Sequence, residues 1–123
     1  MNPRGAARSF RELVVWQKSM DLATAVYRLT RNFPREETYG LASRIRRCAV
    51  SVPSNITPGQ GRMSTGEFRQ FRGVARGSNF EFQTQIELAR RLGWGDPKLV
   101  NEADELSHEV GRMIYTILDK IGV

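Results

Sequence analysis

The sequence holds one cysteine, Cys48, and one histidine, His108, among its 123 residues. A single thiol excludes an intramolecular disulfide and points away from an oxidising compartment. A single imidazole, with no second histidine or cysteine at ligand spacing, excludes the common zinc arrangements. Glu102, Glu105 and Glu109 likewise lack the partner histidines that a di-metal bundle needs on facing helices. No metal or cofactor is expected. No run of about 18 apolar residues occurs, and the first twelve residues, MNPRGAARSFRE, contain nothing like a secretory apolar stretch. A cytoplasmic protein without a membrane partner follows. Gly59-Gln60-Gly61-Arg62 has neither the preceding strand nor the Gly-Lys-Ser/Thr ending of a phosphate loop. Without a secretion signal the sequon Asn55-Ile56-Thr57 is accidental.

Positive charge is abundant instead. The net charge is +6 and the isoelectric point about 10.2. Residues 1–95 carry 16 basic and 7 acidic side chains, a balance of +9, whereas residues 96–123 carry 3 and 6, a balance of −3. Sixteen of the nineteen cations are arginine, the side chain suited to bidentate phosphate contacts and to stacking. This balance passes the first test for a nucleic-acid partner.

The apolar residues recur at helical period and never alternate as in a strand, which predicts one all-α domain, an antiparallel up-and-down four-helix bundle. Residues 1–9 are expected to be a flexible arm and 10–123 the bundle, with helices at about 10–31, 37–57, 64–93 and 96–121. In the first, Leu13, Trp16, Met20, Ala23 and Tyr27 form the expected core stripe, and Phe33-Pro34 the stop. The second repeats Leu41, Ile45, Cys48, Val52 and Ile56, and is expected to kink near Pro53, whose missing N–H frees the Ala49 carbonyl. The third runs through Phe68, Phe71, Ala75, Ser78, Phe82, Gln85, Ala89 and Leu92, opened by the capping box Ser64-x-x-Glu67 and closed by Gly93. The fourth starts with Asp96 as N-cap and Pro97 at the first helical position, then Leu99, Ala103, Leu106, Val110, Met113, Ile117 and Ile121.

Phe10-x-x-Leu13-x-x-Trp16-Gln17, Phe33-Pro34, Tyr39-Gly40-Leu41, Arg46-Arg47, Ser51-Val52-Pro53-Ser54-Asn55-Ile56, Gly59-x-Gly61-Arg62, Glu67-Phe68, Ala75-x-Gly77-Ser78, Glu81 and Thr84-Gln85 follow one another in this order. Together they resemble the bacterial "four helix bundle protein" family, known from proteins encoded in intervening sequences of 23S ribosomal RNA genes. That family is related to the accessory variability protein of diversity-generating retroelements. The resemblance implies a cytosolic four-helix bundle that assembles as a homopentamer, without known catalysis, and that binds nucleic acid or protein. One departure stands out: the family pattern Asn-Ile-Ala-Glu-Gly is replaced by Asn55-Ile56-Thr57-Pro58-Gly59, so any role of that carboxylate does not carry over.

Two sets of candidate residues come from the helical phases. Val15, Leu22, Val26 and Leu29 form a second apolar stripe on the first helix, about 100° or more from the first. Gly66, Gly73 and Gly77, with Phe80 close by, lie opposite the phenylalanine stripe of the third helix, where glycine costs about 1 kcal/mol each relative to alanine. Both sets are expected at an oligomer interface. Arg69, Arg72 and Arg76, continued by Gln83 and Arg90, make one basic rail; Arg44 and Arg47, continued by Ser51 and Asn55, make another, with Arg62 in the connecting loop. Such rails can grip a phosphate backbone in a salt-sensitive way. The alternative is an adaptor or structural oligomer in which the acidic rail Glu102, Glu105 and Glu109 neutralises the arginines, and in which Glu81 pairs with Arg47. No catalytic residue is expected. Cys48 lies on an apolar stripe and His108 on the outer side of its helix.

Overall fold

A computed structural model of the chain describes residues 10–56 and 65–120, apart from the side chains of 65, 68 and 117–120. The expected N-terminal arm, the connection with its Gly-x-Gly and Arg62, and the Ser64 cap lie outside the described residues. Four helices follow in order: α1 Val14–Thr30, α2 Leu41–Ile56, α3 Thr65–Leu92 and α4 Pro97–Lys120. Each packs on the next and α4 packs on α1, which gives a four-cornered all-α bundle, with no strand among the described residues.

Local chemistry sets the helix ends. Phe10–Glu12 form a separate 3-10 turn, and Leu13 is extended (φ −73°, ψ 125°), so α1 starts later than its periodicity suggests. After α1, Pro34 (φ −53°, ψ 140°) leads into a 3-10 turn at Arg35–Glu37, which separates the expected start of the second helix from its actual start at Leu41. The Glu37 carboxylate Oε1 accepts the Leu41 amide at 3.0 Å and caps α2. Pro53 is buried inside α2, which continues to Ile56. Around it, Ser54 Oγ donates to the Val50 carbonyl at 2.7 Å and Asn55 Nδ2 to the Ser51 carbonyl at 2.7 Å. At the end of α3, Gly93 takes φ +72° and the Trp94 amide reaches back to the Ala89 carbonyl at 3.0 Å, a Schellman closure. Asp96 Oδ1 accepts the Lys98 amide at 2.9 Å, the N-cap of α4.

The core has two apolar parts. One gathers Leu22, Val26, Leu29, Ile45, Phe82, Ile86, Ala89 and Val100; the other gathers Val15, Val52, Ile56, Ala75, Val110 and Ile114. Between them along α1, α3 and α4 lie Ser19, Asn79 and Ser107, all buried. Ser107 Oγ donates to Asn79 Oδ1 at 2.7 Å, Asn79 Nδ2 donates to the Ser107 carbonyl at 2.9 Å, and Gln83 Nε2 donates to Ser107 Oγ at 3.1 Å. Most buried polar groups in folded proteins are paired in this way, and the pairing locks α3 to α4 in one register.

The stripe Val15, Leu22, Val26 and Leu29, expected at an oligomer interface, is instead the α1 contribution to the core, each residue at most 4% exposed. Of the expected core stripe, Ala23 is buried in the core and Leu13 and Trp16 pack against it half-buried, Trp16 beside Pro53, whereas Met20 and Tyr27 are exposed at the α1–α2 edge. The physical reason is shape and polarity. Branched aliphatic side chains fill the close-packed centre, whereas Trp16 and Tyr27 each carry a polar group that is cheaper to leave near water. On α3 Ala75, Phe82 and Ala89 of the expected stripe are buried, but the buried face is turned to take in Arg72, Asn79 and Ile86, while Phe71, Ser78 and Gln85 are half-buried and Leu92 is exposed.

Candidate nucleic-acid interface

The two basic rails fall on different sides of α3. Gln83 faces α4 through Ser107, and Arg90 is held there by Glu87 (2.7 Å), Asp104 (3.1 Å) and Asn101 (3.2 Å). These contacts explain why the Arg90 guanidinium is pushed up and the Glu87 carboxyl down, each chiefly by hydrogen bonding to the other. Arg90 therefore ties α3 to α4 and is not part of an open rail. Arg72 is only 2% exposed; its Nη2 lies 3.5 Å from the Ile114 carbonyl, and burial lowers its pKa. It belongs to the core and is withdrawn from the phosphate-contacting set, because helix phase turns it inward with Ala75 and Asn79. Arg76 is exposed and stacks near Phe80 (5.4 Å) and Tyr115 of α4 (6.0 Å). Arg69 is exposed. Arg62 lies outside the described residues.

The α2 rail opens onto a groove of about 460 Å³ between α2 and α3. Arg44 and Arg47 are exposed along its α2 wall, and neither has an ion-pair partner among the described residues. Across the groove, Ser51 Oγ and Ser78 Oγ are 2.8 Å apart, and Asn55 Nδ2 supports Ser51 Oγ at 3.0 Å. One step along, Cys48 Sγ donates to Glu81 Oε2 at 3.2 Å. The same antiparallel register brings Gln85 level with Arg44; Gln85 Oε1 is buried there without a hydrogen-bond partner. Glu81 thus pairs with the Cys48 thiol, and no Arg47–Glu81 ion pair forms among the described residues. Burial, then the Glu81 hydrogen bond and charge, push the Cys48 pKa from 9.0 up to about 11, against smaller opposing effects of Gln85 and Arg47. The sulfur stays a protonated donor and not a nucleophile at neutral pH.

The outer side of α3 is open. Gly66, Gly73 and Gly77 are exposed, a Cβ at Gly73 or Gly77 would meet nothing within 4 Å, and Phe80 is 53% exposed. Val74, Leu88 and Tyr115 extend this apolar surface. Among the described residues, the acidic rail of α4 forms one ion pair, where Glu109 meets Lys18 of α1 at 3.4 Å. His108 is exposed beside Asp104 at 3.4 Å. No group of histidine, cysteine and carboxylate side chains that could hold a metal ion occurs among the described residues. No helix there is long and apolar enough to cross a membrane.

Sequence reasoning missed the buried Asn79–Ser107 pair, although its signal is present: both polar residues fall at i+4 within apolar stripes, after Ala75 and Ala103. It placed Glu81 opposite Arg47, which the groove bears out as proximity though not as an ion pair, but it missed that Cys48 and not Arg47 bonds Glu81 and that Ser78 and Gln85 share one groove with Arg44 and Arg47.

Fold and groove define a small basic four-helix bundle whose open polar surface lies between its second and third helices. The profile of the 23S rRNA-intervening sequence protein family matches residues 11–116, and the chain belongs to that family. Comparison with curated proteins finds no match. Among solved structures the chain is similar to a protein of unknown function from the S23 ribosomal protein family of Bacteroides thetaiotaomicron, determined at 1.70 Å resolution. The two share 20% identity and a TM-score of 0.75, over 85% of this chain and 98% of the other, a likeness of fold.

Proposed function

We propose that the protein is a non-enzymatic, cytoplasmic helical-bundle protein that binds RNA or DNA electrostatically through the α2 side of the α2–α3 groove. The observation that carries this reading is the pair of exposed guanidinium groups, Arg44 and Arg47, which have no ion-pair partner among the described residues of a chain with net charge +6. Interior charge pairing accounts for Arg90 but not for these two. Arg69 and Arg76 extend the basic surface elsewhere on the bundle, without forming a second wall to this groove. Filter binding of structured RNA and duplex DNA across a salt series tests the reading. Replacing Arg44 and Arg47 with alanine is expected to weaken binding to all sequences and to reduce the salt slope by about 2. Absence of affinity at about 50 mM salt, or affinity indifferent to both substitutions, rejects it.

The open apolar face of α3 favours a second reading, an adaptor or structural oligomer. Gly73, Gly77, Phe80 and Tyr115 offer close backbone approach beside exposed aromatic rings, a surface suited to a homo-oligomer such as the pentamer implied by the family resemblance. Light scattering separates the cases: the mass of a single 14.0 kDa chain at micromolar protein excludes self-assembly.

A further inference from the structure

We propose that the α2–α3 groove receives an unpaired guanine base, so that it reads base identity besides gripping phosphate. The inference rests on the nucleic-acid reading above. The groove sets two cations against one anion without letting them cancel: Arg44 and Arg47 stand on one wall, Glu81 on the other, and no ion pair joins them among the described residues. Glu81 Oε2 is occupied by the Cys48 thiol, while no donor within hydrogen-bond distance reaches its second oxygen among the described residues. Gln85 adds a buried polar atom with no partner. A plain phosphate ligand suits the guanidinium groups but not the facing carboxylate. A ligand with acceptors on one edge and donors on the next suits both.

Guanine has that pattern. Its N7 and O6 accept from an arginine fork, and its N1–H and N2 amino group are adjacent donors that a carboxylate takes together. Adenine and cytosine place an acceptor nitrogen beside the amino group, which an ionised Glu81 repels, and uracil offers one N–H between two carbonyls. In a duplex the donor edge is consumed by pairing, so the base has to be unpaired. The Ser51–Ser78 and Cys48–Glu81 bonds engage both hydroxyls and the thiol within the groove, and the arginines, Glu81 and Gln85 are the charged and amide groups that meet the base.

Fluorescence-anisotropy titration of the full chain with labelled uridine-rich RNA strands of about eight nucleotides, carrying one central guanine, inosine or uracil, tests the proposal at about 50 mM salt. Inosine lacks only the N2 amino group. The guanine strand is expected to bind about tenfold more tightly than the inosine strand. Glu81→Gln, at an exposed position outside the core, is expected to bring that ratio close to one while circular dichroism stays unchanged. Equal affinities of the three strands for the unaltered protein, with steep salt dependence, overturn the guanine inference and leave the electrostatic reading standing. No binding of any strand overturns the guanine inference, and only together with no binding of structured RNA or duplex DNA does it overturn the electrostatic reading as well. Displacement of the strand by an equal concentration of GMP assigns the groove to a free nucleotide and overturns the strand as ligand.

Discussion

Replacing Asn79 by alanine removes both hydrogen bonds that this buried amide makes to Ser107, one to the hydroxyl at 2.7 Å and one to the carbonyl at 2.9 Å. Each buried bond contributes about 1 kcal/mol net, and stranding a buried partner raises the cost, so a loss of about 2–3 kcal/mol is expected. In a domain of this size that lowers Tm by about 10 °C. Ser107→Ala removes only the hydroxyl bond, but it also strands Gln83 Nε2, which donates to the same oxygen at 3.1 Å. After Ser107→Ala, therefore, Asn79→Ala has only the carbonyl bond left to break. Its cost is expected to fall by about 1 kcal/mol, which is the coupling that a double-mutant cycle reads. Urea unfolding followed by circular dichroism, with all four proteins at one concentration so that self-association does not vary, measures the cycle. An Asn79→Ala protein within about 0.5 kcal/mol of the parent, or strictly additive substitutions, refutes the view that this pair locks α3 against α4.

Glycine substitutions separate an open helix face from a packed one. At Gly73, where a Cβ meets nothing within 4 Å, alanine is expected to stabilise the helix by roughly 1 kcal/mol; at Gly111, where the Cβ falls 3.1 Å from Asn79 Nδ2, the gain is expected to vanish or reverse. Equal rises in Tm at the two positions contradict the packing described at Gly111. The Cys48 thiol, pushed up to about 11, is expected to react slowly with iodoacetamide at pH 8 and to accelerate through pH 10–11; reaction as fast as free cysteine at pH 8 shows the burial argument to be wrong. Because the folded chain keeps this proton after the unfolded chain has lost it, the Cys48 contribution to stability is present below pH 9.0 and lost as pH rises toward about 11. Cys48→Ala is expected to flatten that part of the stability profile, and an unaltered profile rejects the linkage.

The bundle was legible because several helix ends are announced chemically: Asp96-Pro97 opens α4, Gly93 closes α3, and Pro34 stands between α1 and α2. The rotation of two helices was not. On α1 two stripes at the same period compete, and side-chain size favours Trp16, Met20 and Tyr27, whereas packing density favours Val15, Leu22, Val26 and Leu29. Only the neighbours decide, since an amphipathic aromatic is as content at a helix–helix edge as in the centre. On α3 the obstacle was the polar layer: a stripe that runs through Arg72 and Asn79 is penalised by any hydropathy count, so the phase containing Phe71 and Ser78 looks better although Ile86 belongs to the other.

That same rotation decides what the arginines can do. That turn of α3 carries Arg72 into the core and Arg90 onto Asp104, and it brings Ser78, Glu81 and Gln85 to the α2 side, facing Arg44 and Arg47. A basic strip that reads in sequence as one continuous phosphate grip becomes, in three dimensions, a cross-link to α4 on one side and a mixed-charge groove on the other. A uniformly cationic surface binds any polyanion and gains affinity with every arginine. A groove in which two guanidinium groups confront a carboxylate held by a thiol and by no cation among the described residues gives up part of that affinity, because a carboxylate repels phosphate, and what it gains is the capacity to discriminate. The salt slope of binding is thus expected to reflect fewer charges than the sixteen arginines of the sequence suggest, since burial and internal pairing remove Arg72 and Arg90 before any ligand arrives.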